Sequence, residues 1–395
     1  MPIKAYPTAW ARHDAVRAAA ARWLKQELIT PAQRTAIDAA HPVDYYRPNI
    51  FLRIGLFIFT CIGAMAASGT VAMVTQFDSP AAVAVVYGIG ALVVLELAIK
   101  NFRHYHSGLD NVALYTALLA IIGLILYLYF KSDYLTQPED LFFGQTAGGT
   151  LLLLVILAVL AGATLRYADR LVAACAYFAY LALTVNLLLH LPPGRLLLPF
   201  GVMLASGAAY ILQDKARQRD DFFYYERVLN VIKLLALFTF YLGGNYLIVR
   251  EGNAALLNLP VSTQIPFAPV FYLFTVAVPL AYIYFGLRQA NRMMLLVGLA
   301  VVCFSIYTYR HYRSLLPPEI AAVIAGIVLI GLAAWALHYL RTPKHGLTAV
   351  AEDDEPHFNL ESLIVAQTAH APEPQAPGFE FGGGSSGGGG ANGQF

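Results

Sequence analysis

The sequence predicts an all-α fold: a polytopic bundle of about ten transmembrane helices, preceded by a small helical hairpin and followed by a disordered, glycine-rich tail. Three observations predict it. Hydrophobic residues make up 58% of the 395 and charged residues only 13%, against about 25% charged in soluble domains. The mean hydropathy is +0.59. From Phe51 to Leu340 the chain is one apolar block, cut by polar breaks into segments near the ~20 residues that cross a bilayer. The chain divides into a head over 1–50, a membrane domain over 51–340 and a tail over 341–395.

In the head, Thr8 is placed to cap a helix running through Trp10, Val16, Trp23 and Leu24. Thr30-Pro31-Ala32-Gln33 opens a second helix. Threonine takes the N-cap, proline sits at N1 where its missing N–H costs nothing, and Gln33 reaches back. Pro42 ends it. Lys4, Arg12, Arg17, Arg22, Lys25, Arg34 and Arg47 outnumber Asp14, Glu27, Asp38 and Asp44. Such a hairpin suits an anionic lipid surface, or packs as a solvated unit on the membrane domain. No signal-peptide pattern precedes Phe51, so insertion is expected to begin with the first span.

The expected spans are Phe51–Thr75, Pro80–Ile99, Asn111–Phe130, Thr146–Leu165, Leu171–His190, Leu196–Leu212, Leu229–Val249, Phe267–Leu287, Met293–Tyr309 and Pro318–Leu340. The sixth and ninth are the shortest. Basic residues between spans set the orientation. With the head in the cytoplasm, the inner breaks hold Lys100 and Arg103, Arg166 and Arg170, then Lys215, Arg217, Arg219 and Arg227. Arg288 and Arg292, and finally Arg341 and Lys344, continue the series. The outer breaks hold fewer: none in the first, then Lys131, Arg195, Arg250, and Arg310 with Arg313, so the bias holds at nearly every break. Both termini are therefore expected inside. The segment Gln213–Arg227 reads as an interfacial helix, and tyrosines such as Tyr127 and Tyr307 mark headgroup depth. Small residues four apart, as in Gly201, Ala205 and Ala209, permit close helix contact.

Ionisable and amide side chains inside spans are the natural functional candidates. Four stand out: Glu96, Asn186, Lys233 and Asn245. Glu96 precedes Lys100 by one helical turn and is placed to pair with it. Lys233 lies about one turn into its span and is placed to snorkel to the surface. Asn111, Asn186 and Asn245 are candidates for a polar cavity, with helix–helix hydrogen bonding as the plainer role. Gly243-Gly244 before Asn245 points to a bend or a close contact. The central depth carries no charge, which speaks against an ion-coupled transporter.

Catalytic and cofactor signatures are missing. No G-x-S-x-G, Walker loop or H-E-x-x-H occurs, and no nucleophile–base pair can be assembled at one depth. His104 and His106 lack the i, i+4 spacing and third ligand of a metal site. Cys61, Cys175 and Cys303 each sit in an apolar span and read as small buried hydrophobes. A net charge of +2 gives no electrostatic case for nucleic acid. In the tail, Glu352-Asp353-Asp354-Glu355, several prolines and the glycine run from Gly382 to Gly390 predict disorder. Leu360, Leu363 and Ile364 would line one side of a short helix able to dock in a partner's groove.

From Trp23 to Gly69 the order is a basic helix, Glu-Leu-Ile-Thr-Pro-Ala-Gln at Glu27–Gln33, a second short helix, Arg53-Ile-Gly-Leu-Phe, and a glycine-dotted first span. This resembles a family of bacterial predicted membrane proteins known only as a domain of unknown function. The resemblance implies the bacterial inner membrane, and it implies no activity and no site residues. The tail's glycine run is compositionally similar to tails of other bacterial membrane-anchored proteins. The combined expectation is a non-enzymatic membrane scaffold or sensor. Its partners would be the lipid bilayer and cytosolic proteins met through head or tail. The alternative is a transporter or permease for a small neutral or apolar solute. Ten spans would form two inverted halves, although no motif repeats between them.

Overall fold

The computed structural model describes residues 4–74, 79–131 and 147–312, with scattered positions between 320 and 341. Among the described residues the fold is all-α and holds no β-strand. The head consists of α1 (Thr8–Lys25) and α2 (Pro31–Ala40). Among the described residues, nine further helices are long and apolar enough to cross a membrane. They are α3 (Ile50–Val74), α4 (Pro80–Lys100), α5 (Leu109–Lys131), α6 (Ala147–Tyr167), α7 (Arg170–Leu189), α8 (Gly194–Ala216), α9 (Phe222–Gly244), α11 (Ala268–Arg288) and α12 (Arg292–Tyr312). A short helix, α10 (Tyr246–Leu256), lies between α9 and α11. These helices make the chain an integral membrane protein. The tenth expected span falls mostly outside the described residues, as does the tail.

Local chemistry explains where elements begin and end. Thr30 and Gln33 form the full capping box of α2: Gln33 N donates to Thr30 Oγ1 at 3.3 Å, and Thr30 N donates to Gln33 Oε1 at 2.8 Å. Thr8, by contrast, does not cap α1. Pro7 occupies the N-cap, with φ −58° already suited to helix entry, and no side chain bonds there. The sixth and ninth spans reach 23 and 21 residues, because their polar flanks continue the helices. No separate interfacial helix forms over Gln213–Arg227. Instead α8 runs on to Ala216, the chain turns through 217–221, and α9 starts at Phe222. The expected span Leu229–Val249 is interrupted at Asn245, whose extended backbone (ψ 127°) starts α10. Its side chain accepts from Leu247 N at 3.0 Å and Ile248 N at 3.3 Å, satisfying donors that a helix start leaves free.

The helix α9 is the hub of the bundle. It packs against α7, α8, α11 and α12, and against α1 of the head. Gly243 and Gly244 bear out the expected close contact. A Cβ on Gly243 would sit 3.0 Å from Met203 Cγ and 3.2 Å from Pro199 O, so a side chain here would require α8 to give way. The helix α3 is at the other extreme: it packs on α4 and α5 and buries none of its residues fully.

The head does not hang loose. Ala5 N donates to Arg166 O at 2.8 Å, and Tyr46 N donates to Arg103 O at 2.8 Å. Lys4 Nζ meets Asp221 Oδ2 at 2.8 Å. Tyr224 and Tyr225 donate their hydroxyls to Arg166 O and Leu165 O. The last carbonyls of α6, which no further helical turn could serve, are met this way. The loops after α4, α6 and α8 thus gather on the head's side of the bundle. Three of the basic breaks expected on one face, those with Lys100 and Arg103, with Arg166 and Arg170, and with Lys215 to Arg227, lie together on it.

Candidate functional site at the junction of head and bundle

The most deeply buried charge lies under the head. Asp110, in the first turn of α5, is 0% exposed. Its carboxylate accepts from four donors: Tyr6 OH at 2.7 Å, His106 N at 2.7 Å, Ser107 N at 2.8 Å and Ser107 Oγ at 3.1 Å. A buried carboxylate needs such satisfaction, and its place at a helix N-terminus adds to it. Ser107 Oγ also bonds His104 Nδ1 at 2.7 Å. Around this knot Tyr6, Trp10, Tyr45, Tyr105 and His106 pack edge to face or tilted. Burial, and next the neighbouring Asp110 carboxylate, push the Tyr6 phenol well above its usual range, so it stays a donor. Burial among these rings holds the His106 imidazole well below its usual value. Asp110 opposes that, and Arg227, Arg47 and Arg53 add to it.

Beside the knot is a cleft of about 390 Å³ at the depth where α3 and α7 enter the membrane. Four arginines face it: Arg47 from the head's connector, Arg53 from the first turn of α3, Arg170 at the start of α7, and Arg227 from α9. Two are tied down. Asp14 of α1 accepts from both Arg47 and Arg227, the latter at 2.7 Å, and both guanidinium groups lie about the Tyr105 ring at 6.0 and 5.8 Å. Arg53 and Arg170 have no ion-pair partner among the described residues, and Arg53 Nε is buried without a hydrogen-bond acceptor. Asp169 is the acid on the cleft wall, and it is occupied. It caps α7 through Leu171 N and Val172 N at 2.9 and 3.1 Å. It also accepts from Asn111 Nδ2 at 2.7 Å and Tyr115 OH at 3.0 Å.

Gly108 sets the position of Arg53. Its φ is +104°, a conformation that side chains rarely adopt, and a Cβ there would lie 2.6 Å from Arg53 O. Glycine therefore lets the α4–α5 loop press on the first turn of α3 and fix where its arginine projects.

The four expected candidates do not converge. Glu96 pairs with Lys100 at 2.9 Å, as its spacing predicts, and also with Arg166 at 2.5 Å, while Tyr167 OH donates to it at 3.1 Å. That group fastens α4 to α6. Lys233 does not reach the surface. It is buried at 7% exposure between α8 and α9, with Nζ 6.0 Å from the Tyr210 ring, because α8 covers the path outward. Asn186 joins α7 to α6 by accepting from Thr150 Oγ1 at 2.6 Å. Besides capping α10, Asn245 donates to Tyr241 OH at 2.8 Å and Thr308 Oγ1 at 3.0 Å, which ties α9 to α12. Of the three asparagines considered for a cavity, Asn111 lines the cleft and the other two make helix–helix bonds.

On the opposite side of the bundle Val202, Leu256, Ile265 and Phe271 line a largely apolar, partly open pocket of about 260 Å³. Among the described residues, no group of three or more His, Cys, Asp or Glu side chains is arranged to hold a metal. Comparison with protein-family models, with curated proteins and with solved structures gave no match.

Proposed function

We propose that the chain is a non-enzymatic membrane scaffold or sensor of the bacterial inner membrane, with both termini in the cytoplasm, acting through its head. The observation that carries this reading is the clamp between head and bundle. Lys4–Asp221, Asp14 with Arg47 and Arg227, and Tyr6–Asp110 tie α1 and the residues just before it to the turn before α9, to the connector before α3, to α9 itself and to the first turn of α5. A head held at so many points offers a fixed surface, and a change in helix packing below moves it. The outer end of that surface carries Trp23 and Leu28, 45% and 67% exposed, an apolar tip suited to a cytosolic protein partner. The tail, outside the described residues, is the second expected point of contact.

The test is affinity isolation of the full chain from its native membranes, beside a Trp23→Ser/Leu28→Ser variant and a chain lacking Glu352–Phe395. Loss of a co-purifying cytosolic protein from either variant is the expected result. The same proteins recovered with all three chains would overturn the reading. The second reading, a permease for a small neutral or apolar solute, draws on the largely apolar pocket between α8, α9 and α10. Solute uptake into vesicles bearing the protein, blocked by Val202→Trp, would favour it.

A further inference from the structure

We propose that the arginine cleft is a binding site for a phosphate-bearing anion, and that the bilayer supplies it as the headgroup of an anionic lipid. This goes beyond partner docking, since the cleft lies on the lipid side of the head and not at its tip. The charge balance carries the first half. Arg47, Arg53, Arg170 and Arg227 face one space. Asp14 bridges Arg47 and Arg227 and cancels one of their two charges. Asp169 is consumed by Asn111, Tyr115 and two backbone amides, and Asp110 by its four donors. Asp169 and Glu226 act on Arg170, and Asp110 on Arg53, only through space and without an ion pair. Arg53 and Arg170 are left without a counter-ion, repelled by the other two arginines, and Arg53 Nε is buried with no acceptor. A guanidinium group left so calls for an anion with several acceptor oxygens, and phosphate matches its fork of donors.

Placement carries the second half. Arg53 and Arg170 stand at the starts of two spanning helices, the depth of the headgroups. Part of the remaining wall is apolar, with Ile54 and Phe57 of α3 and Leu171 of α7 below the arginines, beside the polar Asn111, Tyr115 and Asp169. The helix α3 buries no residue fully, so the cleft's rim borders lipid and an acyl chain can run down it. Gly108 fixes the α3 turn that presents Arg53, so this is a built site and not a loose surface charge.

The experiment uses the full chain in neutral detergent, with thermal unfolding followed as phosphatidylglycerol, phosphatidic acid or phosphatidylcholine is added. Parallel titrations use glycerol 3-phosphate and inorganic phosphate. The expected result is saturable stabilisation by the anionic lipids and not by phosphatidylcholine. Arg53→Gln and Arg170→Gln each weaken it about tenfold or more, and the exposed Arg288→Gln leaves it unchanged. Arg53→Lys keeps the charge but loses the fork, and falls between. Arg170, an exposed first helical residue, tests the idea even if Arg53→Gln does not fold. Stabilisation by glycerol 3-phosphate but not by lipid, with the same variant pattern, would keep the anion site and overturn the lipid as its source. Equal binding by wild type and both variants, or no preference for anionic lipid together with no effect of free phosphate, would overturn the site. None of these outcomes bears on partner loss at Trp23 and Leu28.

Discussion

Replacing Tyr6 with phenylalanine removes one oxygen from the clamp and little else. The ring stays in place against Trp10, Tyr105 and His106. Asp110 keeps three of its four donors, at 2.7, 2.8 and 3.1 Å. A hydrogen bond to a buried charged group contributes about 1.5–3 kcal/mol. Losing the phenol also removes its own burial penalty, which favours the lower end, about 1.5–2 kcal/mol. Because Tyr6 and Asp110 lie 104 residues apart and join head to bundle, that energy acts on head docking. If α1 exchanges its amides by undocking, its protected amides from Trp10 to Ala20 should exchange about 10–30 times faster in Tyr6→Phe. Amides of α11 and α12, which pack on α9, α10 and each other, should not change. Hydrogen–deuterium exchange on the detergent-solubilised full chain reads this directly. Exchange in α1 within twofold of wild type, or acceleration equal in all helices, would refute the role given to the Tyr6–Asp110 bond.

Other outcomes follow from the same contacts. Gly108→Ala meets both a φ of +104° and a Cβ only 2.6 Å from Arg53 O, so it should lower stability by at least about 1–2 kcal/mol, read as a drop in melting temperature. Asn245→Ala loses a helix cap and one bond each to the buried Tyr241 and Thr308, which keep Ser305 Oγ and Phe304 O, for about 2–4 kcal/mol, while Asn245→Asp should keep the cap and lose less. Acid should loosen the head. His106 faces Asp110, Tyr6, Tyr105, Arg47, Arg53 and Arg227, and its folded value lies below its unfolded one. The stabilisation is therefore complete above the unfolded value near 6.5 and falls as pH drops below it, by up to about 1.4 kcal/mol per pH unit. His104, also held down by burial, titrates in the same direction. Exchange in α1, corrected for intrinsic rates, should rise from pH 7 to pH 5, and His106→Asn should shrink that rise.

Much of this fold is legible in the residues themselves, because its main signals are local. Apolar runs such as Leu151–Leu165 mark spans by length alone, and the Thr30–Gln33 box marks a helix start within four residues. The Glu96–Lys100 pair is legible for the same reason. The site is not. Its arginines belong to four parts of the chain, and each looks like an ordinary basic flank of a span; only packing turns Arg47, Arg53, Arg170 and Arg227 toward one space. Asp110 and Asp169 look like polar helix starts until Tyr6 and Asn111 close over them. The Glu96–Arg166 contact likewise depends on α4 meeting α6. Lys233 misleads because snorkelling assumes an open flank, which α8 fills. The one available hint was charge excess: basic residues clustered at the starts of spans beyond what neighbouring acids neutralise.

The claim beneath all of this is that the helices cross the membrane in alternation, bringing the head and the loops after α4, α6 and α8 to one face. Single cysteines at Arg12→Cys, Arg219→Cys, Arg195→Cys and Asn258→Cys, in a chain with Cys61, Cys175 and Cys303 replaced by alanine, test it with a membrane-impermeant maleimide on sealed, oriented vesicles. Labelling of the first two from the cytoplasmic side only, and of the last two from the outer side only, is the predicted result. Labelling of all four from one side, or of Arg12→Cys and Arg219→Cys from opposite sides, would contradict it.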